Sequence, residues 1–268
     1  MRTTEISLPY GHGEVCASVP TDSLVGVFQP QGREQSETEE VVLRRALIEP
    51  IESERLSAFA AGCRRVVIII SDLTRPCPSA KLLPHLFSEL KEGGVADEHV
   101  TIVVALGLHR AMSTAEIESA VGTEMFRRIQ VLNHEPQEVV HLGSTSRGTP
   151  VEIFKPVVAA DLRICLGNLE FHYFAGFSGG AKAILPGCAS QKTITANHAL
   201  MVQPAARAGR LHDNPVRQDL EEGAAMVGAD FLYNVVLDTD HRIVEAVAGE
   251  VTAAHRRGCE MVAERGSV

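Results

Sequence analysis

Residues 167–182 read Gly-Asn-Leu-Glu-Phe-His-Tyr-Phe-Ala-Gly-Phe-Ser-Gly-Gly-Ala-Lys, and a second histidine follows at Asn197-His198. His172 and His198 are imidazoles that can move protons near neutrality, and Lys182 is a single amine in an otherwise apolar, glycine-rich loop. Gly176, Gly179 and Gly180 allow the backbone to approach a bound group closely, because glycine carries no Cβ. The phosphate-loop pattern G-x-x-x-x-G-K-[ST] does not explain the run: Ala181 stands where its second glycine belongs, and Ala183 where its hydroxyl belongs. A tight turn with Lys182 pointing to water is the plainer alternative.

Two further polar clusters each end an apolar run. Ser71-Asp72-Leu73-Thr74-Arg75 follows the aliphatic stretch 66–70, and Gly107-Leu108-His109-Arg110 follows an apolar stretch at 99–106. Each stretch has the length and composition of a buried strand. A helical pattern (Leu82, Leu83, Leu86, Leu90) follows the first cluster with Ser79 as its N-cap, and Ser113-Thr114-Ala115-Glu116 is a capping box that opens the next helix. Two βα units in succession imply a parallel sheet with right-handed crossovers. The fold class expected is therefore α/β, a Rossmann-like parallel-sheet domain with helices on both faces and a small antiparallel excursion at 138–153.

The remaining elements are coarser. Residues 4–19 read as two short strands around a turn that includes His12, residues 29–40 as a polar loop, and residues 41–63 as helical with a break near Pro50. Strands are expected at 129–133, at 162–166 and as a pair around Thr239-Asp240, with helices at about 215–226 and from Val251. In a parallel sheet the C-terminal strand ends lie along one edge, so the three polar sets converge on one crevice. Taken singly, Asp72 with Arg75 reads as a local ion pair and each histidine as a satisfied loop residue.

Composition narrows the partner. The 268 residues are 45% hydrophobic and suffice for one large core. A net charge of −9, without a Lys/Arg block, argues against nucleic acid or an anionic membrane and for a small molecule. Residues 1–20 lack the basic start and apolar core of a signal peptide, so a cytoplasmic protein is expected. The six cysteines contain no C-x-x-C pair and read as reduced core or loop thiols. H-E-x-x-H does not occur.

Asp72-Leu-Thr-Arg75-Pro, Gly107-Leu-His109-Arg110, the run from Glu170 to Lys182 with Leu185-Pro186-Gly187, and Asn197-His198 resemble, in order and spacing, the signature segments of the nickel-pincer lactate racemase family. In that family a nickel ion is held by a nicotinic-acid-derived mononucleotide, a pyridinium thioamide/thiocarboxylate joined covalently to a lysine, and a histidine completes the coordination. The resemblance implies Lys182 as the attachment point and His198 as the nickel ligand. It also implies His109 and His172 as an acid/base pair, Arg75 on the substrate carboxylate and Asp72 in support beside it. Cofactor-biosynthesis enzymes are implied partners.

These roles are chemically coherent. Neutral imidazole suits Ni(II), and sulfur donors on the cofactor would complete a planar site. Inverting a 2-hydroxy acid by hydride transfer needs a base on each face of C2, and arginine can grip a carboxylate bidentately while the keto intermediate reorients. The loop at Ser71 to Thr74, ahead of a helix, is a reasonable seat for the nucleotide phosphate, with Gly179 and Gly180 as further cofactor contacts. The family continues into a second domain, so residues 1–268 are expected to be its cofactor-binding N-terminal domain, with weak self-association through the face a second domain would cover. A non-catalytic holder of the nucleotide is the competing reading.

Overall fold

The aliphatic run at 66–70 is buried on both sides, so a helical layer is needed above it and another below; that requirement organises the chain. The computed structural model describes residues 2–11, 13–27 and 37–266, which leaves His12 and most of the expected polar loop outside the described residues. A hairpin of β1 (Thr3–Tyr10) and β2 (Gly13–Pro20) comes first, followed by α1 (Glu39–Ile48), α2 (Leu56–Ala60), β3 (Val66–Ser71) and α3 (Ser79–Glu92). Next are β4 (Val100–Ala105), α4 (Thr114–Val121), α5 (Thr123–Arg128) and β5 (Gln130–Asn133). The antiparallel excursion is β6 (Val139–Ser144) with β7 (Pro150–Phe154), after which come α6 (Lys155–Ala159), β8 (Leu162–Leu169) and the short pair β9 (Phe171–His172) and β10 (Gly176–Phe177). The chain ends with α7 (Gln191–Ala199), α8 (Pro215–Ala225), β11 (Phe231–Leu237), β12 (Ile243–Gly249) and α9 (Val251–Gly266).

The central sheet has the order β12-β11-β8-β3-β4-β5 and is parallel except for β12, which runs antiparallel to β11. Strand alternation then distributes the core. Val66, Ile68 and Ile70 pack with Leu43, Leu82 and Leu86 of α1 and α3, whereas Val67 and Ile69 pack with Val157, Ile194, Leu220 and Cys259 of α6, α7, α8 and α9. Both layers are apolar, as the sequence pattern required, and among the described residues no helix is long and apolar enough to cross a membrane.

Three local expectations are corrected. Ser79 is the first residue of α3 rather than its cap, and its buried hydroxyl points at the Cys77 thiol. The polar run does not begin where the strand stops: Gly167, Asn168 and Leu169 are the buried last residues of β8. Glu39 and Glu40 belong to α1, capped by the Thr38 hydroxyl, rather than to a loop. The capping box at Ser113 and Glu116 is present as read.

Helix α7, which carries His198, is fixed to its neighbours through a buried carboxylate. Asp219 of α8 accepts hydrogen bonds from Thr145 Oγ1 (2.5 Å), Thr149 Oγ1 (2.8 Å) and Asn197 Nδ2 (2.8 Å), so the β6–β7 turn, α7 and α8 meet at one side chain. Asp219→Ala leaves three buried donors without their acceptor and should lower the unfolding free energy by about 3 kcal/mol, measured by urea denaturation. A loss below about 1 kcal/mol would mean that the network does not hold these elements together.

Candidate active site

The C-terminal ends of β3, β4 and β8 open into a cavity of about 340 Å³. Ser71, Asp72, Arg75, His109, His172, Gly179, Gly180, Lys182 and His198 all line it; Thr74 does not. Residues more than a hundred positions apart meet there because Ser71 lies beside Ala105 in the β3–β4 register and β8 runs alongside β3. Arg110 departs from the cluster, and its guanidinium pairs with Glu116 at the surface.

Asp72 and His109 form a dyad. Asp72 is buried, and its Oδ2 lies 2.7 Å from Nδ1 of the half-exposed His109. Its Oδ1 accepts from the Thr74 hydroxyl (2.7 Å) and backbone N–H (3.3 Å), so both carboxylate oxygens are engaged and the group is held in place. With Nδ1–H donated to a carboxylate, a neutral His109 presents the Nε2 lone pair. Thr74 is therefore committed to Asp72 in this structure. Arg75 lines the cavity with no hydrogen-bond partner for its guanidinium among the described residues.

The other side of the cavity is arranged around Phe174. Its buried ring meets His172 edge-on (4.6 Å) and His198 edge-on (5.0 Å), and Lys182 Nζ lies over it at 5.9 Å. Lys182 Nζ is 3.5 Å from His172 Nε2. The lysine does not turn to water: burial, and then the charges of Arg217 and Arg75, bring its ammonium from the usual 10.5 down to about 7. Burial followed by the charges of Lys182, Arg75, Arg217 and His198 takes His172 down to about 3. The Ala175 N–H donates to His172 Nδ1 at 3.2 Å, so the neutral ring carries its hydrogen on Nε2. His198 is held neutral by burial and the nearby Lys182 charge, against a smaller opposing effect of the Ile194 carbonyl; its Nδ1 is buried without a partner in hydrogen-bonding geometry.

The glycines have a structural reason. Gly179 and Gly180 take φ of 70° and 64°, and a Cβ at Gly180 would lie 2.5 Å from the His255 ring. Asn234 Oδ1 accepts the Gly180 N–H (2.9 Å) and His255 Nε2 lies 2.9 Å from the Ser178 carbonyl, so β11 and α9 clamp the loop before Lys182. Neither residue stood out in the sequence. The available signal for Asn234 was one amide inside the apolar strand Phe-Leu-Tyr-Asn-Val-Val-Leu.

Residues 10–209 match the family model of the lactate racemase N-terminal domain. The chain belongs to this family. It is 37% identical over 270 residues to the lactate racemase of Thermoanaerobacterium thermosaccharolyticum and 36% identical to that of Lactiplantibacillus plantarum, in each case over 98% of this chain and 63% of the relative. The solved lactate racemase apoprotein of T. thermosaccharolyticum superposes with a TM-score of 0.89 at 36% identity, again covering 98% of this chain and 63% of that one. A structural-genomics protein from Thermotoga maritima shares the fold alone, with a TM-score of 0.66 at 22% identity over 78% of this chain and 57% of its own. The chain thus spans about 63% of the length of the lactate racemases it matches.

The depressed His172 has a measurable consequence. Below about 6.5 the unfolded chain binds a proton at this position that the folded chain refuses until about pH 3, so stability is lost as pH falls through that window. Buried His134, brought down to about 4, acts in the same direction. Urea denaturation at neutral pH and at about pH 4.5 should find that His172→Gln loses less stability over the interval than the parent. Equal losses would mean that His172 titrates in the folded chain as it does in the unfolded one.

Proposed function

We propose that residues 1–268 form the cofactor-carrying domain of a 2-hydroxy-acid racemase or epimerase. In this reading Lys182 tethers a nickel-pincer mononucleotide, His198 ligates the nickel, His109 and His172 serve substrate protons, and Arg75 holds the substrate carboxylate. The observation that carries it is the cavity: the Lys182 amine, three imidazoles and the Arg75 guanidinium, which has no hydrogen-bond partner among the described residues, line one space. Family membership and the lactate racemases among its relatives support the substrate class.

The residues fit such a group. A lysine that loses its proton near pH 7 offers the nucleophilic form that would condense with a thiocarboxyl group, the C–O bond breaking and water leaving as the thioamide forms. His198 is kept neutral, the state in which imidazole binds Ni(II), and its buried Nδ1 has no partner in hydrogen-bonding geometry among the described residues. Among the described residues no three His, Cys, Asp or Glu side chains gather as a metal site, so a metal at His198 would draw its other donors from the organic group. When bound, that group supplies a hydride acceptor for the substrate C2, chemistry that side chains alone lack.

The two histidines enter the reaction unequally. His109 has its Nε2 lone pair ready, and Asp72 would stabilise the imidazolium formed when it takes the hydroxyl proton. His172 presents Nε2–H and so begins as a hydrogen-bond donor to the substrate oxygen. Arg75 can pair with the carboxylate throughout, because no protein partner competes for it among the described residues. The phosphate seat at Ser71 remains compatible with this reading, with the Thr74 hydroxyl left on Asp72.

The test is co-expression with the cofactor-making enzymes, followed by peptide mass mapping and nickel analysis. Added mass is expected on the peptide that holds Lys182, and His198→Ala should keep that mass while losing nickel. An adduct on Lys192 instead, or full nickel in His198→Ala, would overturn the assignment. In the loaded chain joined to the C-terminal region of a relative, Asp72→Asn should lower turnover by about 10²- to 10⁴-fold with substrate affinity little changed. Loss of affinity with unchanged turnover would instead make Asp72 a substrate-binding group.

A further inference from the structure

The β1–β2 hairpin sorts its side chains by face. Ile6 lies opposite Ala17 and Leu8 opposite Val15, with Val19 and Tyr10 towards either end, and because successive residues of a strand point to opposite faces these six share one side of the ribbon. The other side is polar: Ser7 Oγ donates to Glu14 Oε2 (2.6 Å) and Ser18 Oγ to Glu5 Oε1 (3.4 Å). The apolar side is uncovered. Leu8, Tyr10 and Val15 are 54%, 76% and 49% exposed, and among the described residues no part of the hairpin joins or packs on either apolar layer of the domain. A lone two-stranded hairpin is marginal in water, and an apolar face stabilises it only when another element covers that face.

We propose that the apolar face of the β1–β2 ribbon is the docking surface for the C-terminal region that lactate racemases carry beyond the stretch matched here. The stretch that covers 98% of this chain is 63% of each relative, which leaves more than a third of the relative, enough for a further domain. The family model matched is that of the N-terminal domain, so the remainder follows it. The size of the face selects this occupant over a second copy of the chain. Six side chains fall well short of the roughly 20–30 residues a side that a stable interface between separate chains uses. A tethered region needs far less, because linkage turns docking into an intramolecular step at an effective concentration of about a millimolar. The face carries no charge, so its partner surface is apolar too.

The proposal rests on the reading of residues 1–268 as one domain of a larger enzyme, but its test reads docking alone, without cofactor or turnover, so the two can fail separately. The ribbon supplies an internal reference: Cys16 is exposed and lies on the polar side, opposite Ser7. Val15→Cys places a second thiol on the apolar side. Alkylation rates of both thiols, read by peptide mass spectrometry, are compared in residues 1–268 alone and in the same chain joined to the C-terminal region of the T. thermosaccharolyticum lactate racemase. In the joined protein the introduced thiol should react about tenfold more slowly than in residues 1–268, as expected of a face docked most of the time, while Cys16 changes little. An introduced thiol slowed no more than Cys16 overturns the proposal. Slowing already present in residues 1–268 alone, and growing with protein concentration, would put a second copy on the face and overturns it as well. Leu8→Cys, across the register from Val15, must give the same result and decides the matter should the first variant fold poorly.

Discussion

The site depends on keeping an amine out of water without letting it find an anion. Lys182 Nζ sits in a crevice walled by Phe174 and glycine backbone, with cationic Arg75 and Arg217 as its charged neighbours. A free carboxylate in the same space would restore the ammonium, because an opposite charge within a few ångströms stabilises the charged form. Asp72 is such a carboxylate, and the structure keeps it occupied with two bonds from Thr74 and one contact to His109. The dyad therefore does two things at once. It fixes the His109 ring through Nδ1, and it keeps Asp72 from offsetting the cationic surroundings of Lys182.

The same constraint accounts for much of the surrounding architecture. A neutral, enclosed lysine needs a loop that approaches its neighbours closely, and Gly179 and Gly180 supply it only because Asn234 and His255 are placed to hold the backbone at positive φ. Those two residues come from β11 and α9, on either side of the antiparallel edge strand β12. The C-terminal part of the chain, which has none of the polar strand ends that mark the first half, thus serves the site by supporting its loop. The two-faced core explains how this is possible: α7, α8 and α9 all pack on the face of the sheet that carries Val67 and Ile69, close enough to reach the loop from beneath.

What could be read in advance followed from local rules. Strand ends, the capping box and the glycine run pointed to Asp72, Arg75, His109, His172, Lys182 and His198, and the cavity gathers all six. What could not be read depended on pairings between distant elements. Arg217 sits beside Val216 in a helix whose pattern permits a charged residue at the surface, and only tertiary packing makes that position fully buried. Ser79 looked like a cap because serine ahead of an apolar helix usually is one, yet the turn starts one residue earlier and the hydroxyl faces Cys77. Thr74 looked free to meet a phosphate, and its attachment to Asp72 follows from a two-residue turn that composition does not specify.

One tension remains within the proposed chemistry, and its resolution lies in Lys182. A histidine brought down to about 3 is a poor general acid or base near neutrality, where efficiency is greatest for groups that titrate close to the working pH. Burial is the first cause of that displacement, and the Lys182 charge 3.5 Å from Nε2 is the second. Acylation of Lys182 would turn its amine into a nitrogen that carries no positive charge at any working pH, which removes the second cause while leaving the first. His172 would then move back towards the range in which it can exchange protons. On this reading the attachment of the cofactor and the release of His172 from the Lys182 charge would be a single event, so that before attachment His172, though not the lysine, is held out of acid–base work by its own neighbours.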